Sequence, residues 1–308
     1  WVNIPALSQA PVTHSWLPGT DWWWWRATRL IQDTNLRMSE VITEFPVFSF
    51  ILGDLHPHVM ALPFGLLALA LAWSLLGTAA ELPPGEPIAV REGWELTWPA
   101  LPDLALLVPL IVGGLGFLNS WDFPTYAVVA VLAYAIGRAW RYRELTRAWL
   151  SESAGFGLFV LVAGVALYAP FYVGFRSQAS GLDVVTFAKT PWLQYALIFG
   201  LFLSVLVPWL IGWGVTASRR HGFLRGYAVA LGGVILLPVL LTVAAGGLGG
   251  AILSALGSAI QGPALLTSLA LLIALGVALL WAALRRPEGA GDGSATFALL
   301  LATIGLLL

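Results

Sequence analysis

Carboxylate and imidazole side chains stand close together just before a long apolar stretch. Asp54, His56 and His58 fall within five residues, and Glu44 precedes Asp54 by ten residues. Such groups are suitable ligands for a divalent metal, and a carboxylate can also act as a general base. Pro57 suits the first turn of a helix, whose positive end can be capped by Asp54 or can bind a phosphate. The segment therefore predicts either a catalytic or metal-binding site, with Asp54, His56 and His58 as candidate ligands, or a capped helix end. Glu44 either faces the same pocket or is an exposed carboxylate.

A second polar segment joins two apolar stretches further along the chain. It contains Asn119, Trp121 and Asp122, followed by Pro124. Asn, Asp and Pro are common in turns, and Asp122 can cap the helix that follows. The alternative is a pocket shared with Asp54, in which Asp122 is a second catalytic carboxylate and Asn119 and Trp121 bind substrate.

The composition is that of a membrane protein. Of the 308 residues, 59% are hydrophobic and 10% are charged, against about 25% charged in soluble domains. The absence of cysteine excludes disulfides and thiolate metal sites. A net charge of −1 provides no basic field for nucleic acid. The chain starts without an initiator methionine or signal peptide and ends in an apolar run, so we expect a fragment that lacks spans at both ends.

The apolar stretches predict an all-α fold, a polytopic transmembrane helical bundle of about seven to eight spans. The predicted spans are 58–80, 101–118, 124–140, 154–172, 192–215, 227–246, 264–284 and a truncated 295–308. We expect an interfacial segment over residues 1–57 and the bundle over residues 58–308.

The arginines predict the orientation, because positive charge accumulates in cytoplasmic loops. They follow the third, fifth and seventh spans and include Arg138, Arg141, Arg143, Arg147, Arg219, Arg220, Arg225, Arg285 and Arg286. These loops alternate correctly and are assigned to the cytoplasm. The segments containing Asp54, Asp122 and residues 173–191 then face outside.

Two cations on this predicted outer face call for an explanation, because cations are depleted there. They are Arg176 and Lys189, the only cations of the predicted outer segments after residue 37. Arg29, which follows the tryptophan run Trp22–Trp25, is a further candidate. A guanidinium pairs well with a lipid phosphate, although it can also simply anchor the chain among headgroups. The tryptophans form either an interfacial belt or a stacking platform for a sugar.

These segments together resemble a known family, the YYY-domain membrane proteins of bacteria and archaea, which are catalogued as a domain of unknown function. The matching stretches are Trp23–Trp25, Ile42–Pro46, Gly53–His58, Leu118–Tyr126 and Pro170–Tyr172. The resemblance spans residues 20–200. The tyrosine-rich segment that names the family would lie upstream of Trp1.

The resemblance implies a fold grouped with the GT-C type of glycosyltransferase, in the cell membrane of a prokaryote. Such enzymes transfer a sugar from a polyprenyl-phosphate donor to an acceptor on the outer face. The candidate catalytic residues are then Asp54, Glu44 and Asp122. The candidate substrate-binding residues are His56, His58, Arg29, Asn119, Trp121, Tyr172, Arg176 and Lys189. The essential acid of GT-C enzymes usually lies in the first outer loop, which is expected mostly upstream of this chain.

Two other functions fit the same composition. Prolines within predicted spans, such as Pro63 and Pro208, can mark the broken helices of a transporter or lipid flippase. A transporter, however, places polar groups near mid-membrane, whereas here they cluster at one surface. A non-catalytic envelope assembly protein is the third alternative, in which Asp54 and the histidines serve only packing and capping.

Overall fold

The computed structural model describes residues 28, 31–33, 39–41, 46–53, 55–91, 94–103, 105–175, 192–219, 223–246, 263–284 and 293–307. In chain order the elements are β1 (Ile31–Asp33), β2 (Ser39–Val41), α1 (Pro46–Leu52), α2 (Pro57–Glu81), β3 (Glu86–Arg91), β4 (Trp94–Trp98), α3 (Leu107–Leu118), α4 (Asp122–Tyr142), α5 (Arg147–Leu167), α6 (Ala169–Gly174), α7 (Trp192–Ser218), α8 (Phe223–Gly246), α9 (Pro263–Leu284) and α10 (Gly293–Leu307).

The fold is mostly helical, as predicted, and a helix occupies the place of each predicted span. Among the described residues, four helices are long and apolar enough to cross a membrane: α2, α4, α5 and residues Gln194–Ser218 of α7. Shorter apolar segments lie in α3, α8, α9 and α10. They are Leu107–Leu118, Phe223–Val234, Ala270–Ala283 and Gly293–Leu306.

Two antiparallel strand pairs accompany the helices, β1 with β2 and β3 with β4. Pro83 and Pro84 stop α2, since proline cannot continue a helix. The segment beyond them alternates apolar and polar residues through Trp94, Leu96 and Trp98, which is the period of a strand. This hairpin lies where the sequence predicted only an acidic loop.

The described chain divides into two compact units. The first comprises 1–59, 183–205 and 242–266, and the second comprises 60–182, 206–241 and 267–308. The second unit contains a core between α2, α3, α4 and α5, formed by the buried residues Ala61, Ala68, Leu75, Ala79, Val108, Val112, Leu115, Ala127, Ala130, Tyr134, Phe156 and Val160. A second cluster joins α2 and α4 to Phe297, Leu300 and Ile304 of α10.

Small residues allow the helices of the second unit to approach closely, as is usual in membranes. A methyl group on Gly113 of α3 would lie 2.7 Å from the carbonyl oxygen of Gly164 on α5. A methyl group on Gly137 of α4 would lie 2.5 Å from the carbonyl oxygen of Leu76 on α2. These contacts bring the helix backbones together without intervening side chains.

Helix α5 begins seven residues earlier than the predicted span at 154, which was wrong at this boundary. Its N-cap is Thr146, whose hydroxyl accepts a hydrogen bond from the Trp149 amide at 3.1 Å. Glu152, which precedes the predicted span, is fully buried in the first turns of the helix. A carboxylate is tolerated there because it forms an ion pair with Arg138.

The bundle of helices α3, α4 and α5 has two ends with different connections. The turn end comprises the connection Asn119–Trp121 between α3 and α4, together with α6, which follows α5. The hairpin end comprises residues 82–103 and the connection 143–146 between α4 and α5. Helix α4, with 21 residues, separates these ends by about 31 Å at 1.5 Å per residue.

Candidate functional site

The two histidines lie at the start of α2, in the first unit. Helix α1 ends at Leu52 and is followed by Gly53, whose φ of 64° is in the left-handed region that favours glycine. Pro57 is the first residue of α2, as predicted from its preset φ. The His56 and His58 rings are tilted with centroids 5.2 Å apart. The His58 Nε2 lies 3.5 Å from the Ser49 hydroxyl of α1, at the outer limit of a hydrogen bond.

Several predicted site residues lie outside the described residues, namely Asp54, Glu44, Arg29, Arg176 and Lys189. Among the residues that are described, no group of three His, Asp or Glu side chains is arranged to hold a metal ion. The proposed metal site of Asp54, His56 and His58 therefore stays a prediction.

Asn119, Ser120 and Trp121 form a tight turn at the turn end of the second unit. The Asn119 amide donates to the Leu115 carbonyl at 2.7 Å, and the Asp122 amide donates to the Asn119 carbonyl at 2.9 Å. Trp121 occupies the N-cap position without a side-chain cap, and its own side chain is 52% exposed.

Asp122 is the first residue of α4 rather than its cap. A carboxylate in the first turn of a helix interacts favourably with the positive end of the helix dipole. The structure therefore assigns Asp122 a local role in α4. Its predicted function in catalysis stays a prediction.

Tyr172 on α6 reaches the same end of the bundle. A methyl group on Gly116, three residues before Asn119, would lie 2.7 Å from the Tyr172 hydroxyl. A tyrosine hydroxyl is neutral at physiological pH and can donate a hydrogen bond.

Aromatic rings cluster around Tyr172. The Phe171 ring contacts the Phe117 and Tyr172 rings at centroid distances of 5.2 Å and the Phe175 ring at 4.9 Å. Phe117 belongs to the last turn of α3, so the cluster lies beside the Asn119–Trp121 turn. The structure thus brings four predicted residues of the second unit, Asn119, Trp121, Asp122 and Tyr172, to one end of the bundle.

The most heavily bonded charged group in the described chain was not predicted as a site residue. Arg138 was interpreted as a cytoplasmic loop cation, which was wrong, because it is fully buried in α4. Its Nη2 lies 3.0 Å from Oε1 and 3.2 Å from Oε2 of Glu152, which is also fully buried. Glu152 Oε1 also accepts bonds from the Tyr134 hydroxyl at 3.0 Å and the Ala100 amide at 2.9 Å.

Arg138 also caps the end of α2. Its Nη1 donates to the carbonyls of Ala79 and Leu82 at 2.9 Å, and Nη2 donates to that of Pro83 at 2.8 Å. The Ala79 carbonyl has no helical partner, because residue 83 is a proline without an N–H. A positive charge here also stabilises the negative end of the helix dipole. The signals that could have revealed this role are Pro83 and the spacing of Tyr134, Arg138 and Tyr142 by four, which places them on one face of α4.

A groove of about 200 Å³ lies at the hairpin end between α2 and the start of α3. It is lined by Leu71, Ser74, Leu75, Thr78, Pro102, Asp103 and Val108. Asp103 is its one ionisable residue. The groove therefore lacks the paired titratable groups that acid–base chemistry requires.

The sequence matches a known protein family over almost its whole length. A model of the DUF2298 family, described as an uncharacterized membrane protein, matches residues 3–308. The chain belongs to this family. Neither the comparison with curated proteins nor that with solved structures gave a match. Family membership and the apolar helices agree on an integral, multi-pass membrane protein and leave its activity open.

Proposed function

We propose that this DUF2298 protein is a GT-C-type glycosyltransferase that uses a polyprenyl-phosphate sugar. In this proposal the reaction takes place at the outer face of the membrane, to which the arginine pattern of the sequence assigns both the Asp54–His58 segment and the Asn119–Asp122 turn. In this proposal the shorter apolar helices complete a bundle of seven to eight spans.

The observation that carries the proposal is the composition of the turn end. Asn119 and Asp122 supply hydrogen-bonding groups, and Trp121 and Tyr172 supply exposed or half-buried rings beside them. Aromatic faces stack on sugar rings, and the Phe117–Phe171–Phe175 cluster offers apolar surface to a prenyl chain. A polar turn next to an aromatic cluster suits a donor that has a sugar at one end and a lipid at the other.

The distribution of ionisable groups disfavours the transporter alternative. In α2 and α4 the histidine and charged side chains lie toward the helix ends, at His58, Glu81, Asp122, Arg138 and Arg141, and the sequence of α7 has no Asp, Glu, Lys, Arg or His. The buried charges of Arg138 and Glu152 bind backbone groups and each other. Transporters place the site for substrate and coupling ion near the middle of the membrane, and α2, α4 and α7 supply no charged side chain there.

The chemistry follows from the residues assigned to it. Asp54 accepts the proton of the acceptor hydroxyl, whose oxygen forms a bond to the anomeric carbon. The bond between that carbon and the phosphate oxygen breaks, and its electron pair leaves with the polyprenyl phosphate. Attack from the opposite face inverts the anomeric centre. Arg176, assisted by Arg29 or Lys189, stabilises the negative charge of the leaving phosphate.

The test is donor turnover by the full-length protein in proteoliposomes. Polyprenyl-phosphate hexoses are supplied together with a membrane extract as the source of acceptors, and the released polyprenyl phosphate is quantified. We expect turnover by the wild type and its loss in Asp54→Asn, because the base is removed without a change of size. Asp103→Asn at the hairpin end is the matched control and should retain turnover. Equal turnover in both variants would contradict the assignment of Asp54.

A further inference from the structure

The β3–β4 hairpin has an apolar face that is open in the described part of the chain. Ile88 pairs with Leu96 across the strands, and Trp98 lies two residues beyond Leu96 on the same face. Their side chains are 45%, 51% and 56% exposed. The neighbouring pair of Ala89 and Glu95 belongs to the opposite face. The hairpin is therefore amphipathic.

The base of the hairpin lies alongside the membrane-spanning helices rather than beyond their ends. The Thr97 amide donates to the Ser151 hydroxyl at 3.0 Å, and the Ala100 amide donates to Glu152 at 2.9 Å. Glu152 follows the first residue of α5, Arg147, by five positions, which corresponds to about 7.5 Å along the helix. Helix α5 is about 31 Å long at 1.5 Å per residue, close to the roughly 30 Å of the hydrocarbon layer. The hairpin base therefore lies near the boundary between headgroups and hydrocarbon.

Irregular backbone at this depth requires protein partners, because the bilayer supplies too little water to satisfy it. Arg138 satisfies the carbonyls of Ala79, Leu82 and Pro83, and the Tyr134 hydroxyl donates to that of Ala100 at 2.8 Å. A loop in water would obtain these hydrogen bonds from solvent. The buried pair of Arg138 and Glu152 thus provides hydrogen-bond partners for the carbonyls of Ala79, Leu82 and Pro83 and for the Ala100 amide, where the chain leaves α2 and returns toward α3.

From these observations we infer that the hairpin is embedded in the membrane interface, where Ile88, Leu96 and Trp98 contact lipid. Tryptophan favours the zone in which apolar chains meet headgroups. The lipid contact continues along exposed Leu101, Leu106 and Leu107, which lead into α3. The hairpin is thus a lipid-binding element of the bilayer surface and not a loop in water.

Site-directed spin labelling tests the inference directly. Residues 1–308 contain no cysteine, and any cysteine elsewhere in the full-length protein is first replaced by serine. Single cysteines replace Ile88, Leu96, Ala89 or Glu95 in the full-length protein, which is reconstituted into vesicles of phosphatidylcholine and phosphatidylglycerol. Power saturation measures the accessibility of each nitroxide to oxygen, which partitions into lipid, and to a nickel chelate, which stays in water. Circular dichroism and size-exclusion chromatography confirm that each labelled variant is folded, as expected for exposed positions.

The expected result is an alternation with the period of a strand. The ratio of oxygen to nickel accessibility should be several-fold higher for Ile88→Cys and Leu96→Cys than for Ala89→Cys and Glu95→Cys. High nickel accessibility at all four positions would place the hairpin in water and overturn the inference. Low accessibility to both reagents at 88 and 96 would overturn it as well, because the face would then be covered by protein.

Discussion

Replacing Glu152 by glutamine should strongly destabilise the second unit. The substitution keeps the size of the side chain but removes the charge that faces Arg138. The two side chains are fully buried, with Nη2 3.0 Å from Oε1. Breaking a buried ion pair by removing one charge typically costs about 3–5 kcal/mol. For a chain of this length that corresponds to a fall of roughly 6–10 °C in the thermal midpoint, at about 2 °C per kcal/mol.

The double variant Arg138→Met with Glu152→Leu distinguishes a simple ion pair from a device that satisfies backbone groups. Apolar replacement of both partners is often nearly neutral. Here it removes the partners of four backbone groups, the carbonyls of Ala79, Leu82 and Pro83 and the amide of Ala100. At about 1 kcal/mol each, we expect the double variant to remain roughly 4 kcal/mol less stable than the wild type.

Circular dichroism of the full-length protein in detergent micelles measures these thermal midpoints. Glu144→Gln in the exposed connection between α4 and α5 is the control and should change stability by less than about 0.5 kcal/mol. A double variant as stable as the wild type would refute the reasoning, because the backbone groups would then need no partner from Arg138 or Glu152.

Three further predictions concern the bundle and the donor site. Tyr134→Phe loses the bonds to Ala100 and Glu152 but keeps its stack on Phe156, so the thermal midpoint should show a loss of about 1–3 kcal/mol. Gly113→Ala should destabilise the chain, because its methyl group would meet the Gly164 backbone at 2.7 Å. Gly77→Ala should be neutral or stabilising by up to about 1 kcal/mol, because the described residues place nothing within 4 Å of that methyl group. Equal effects of Gly113→Ala and Gly77→Ala on the thermal midpoint would contradict the helix packing described. Trp121→Ala should weaken binding of a polyprenyl-phosphate hexose, measured by native mass spectrometry at varied donor concentration, whereas Trp98→Ala at the hairpin end should not; equal weakening by both would remove Trp121 from the site.

The positions of the helices could be predicted because each depends on a local run of apolar residues. The same holds for the start of α2 at Pro57 and for the turn at Asn119–Trp121, whose signals are residues adjacent in sequence. The resemblance to a family of uncharacterised membrane proteins is likewise confirmed by the match to DUF2298. Its YYY and GT-C grouping stays a prediction.

The role of Arg138 could not be predicted in this way, because its partners are distant in sequence. Its neighbours Arg141, Arg143 and Arg147 indicate a loop, whereas its hydrogen bonds reach carbonyls 55–59 residues upstream. The hairpin escaped prediction for a related reason. Its strands alternate apolar and polar residues over only a few positions, and the hairpin is held to α5 by hydrogen bonds from Thr97 and Ala100 to Ser151 and Glu152, which are distant in sequence.

The central claim, that the protein binds a polyprenyl-phosphate lipid, is tested most directly by native mass spectrometry of the full-length protein with its co-purified lipids. The wild type is compared with Arg176→Ala and with Arg219→Ala, an exposed arginine after α7 on the predicted cytoplasmic side. The account predicts a polyprenyl phosphate or its glycosylated form bound to the wild type and to Arg219→Ala and lost from Arg176→Ala. Bulk phospholipid alone in all three proteins would contradict it.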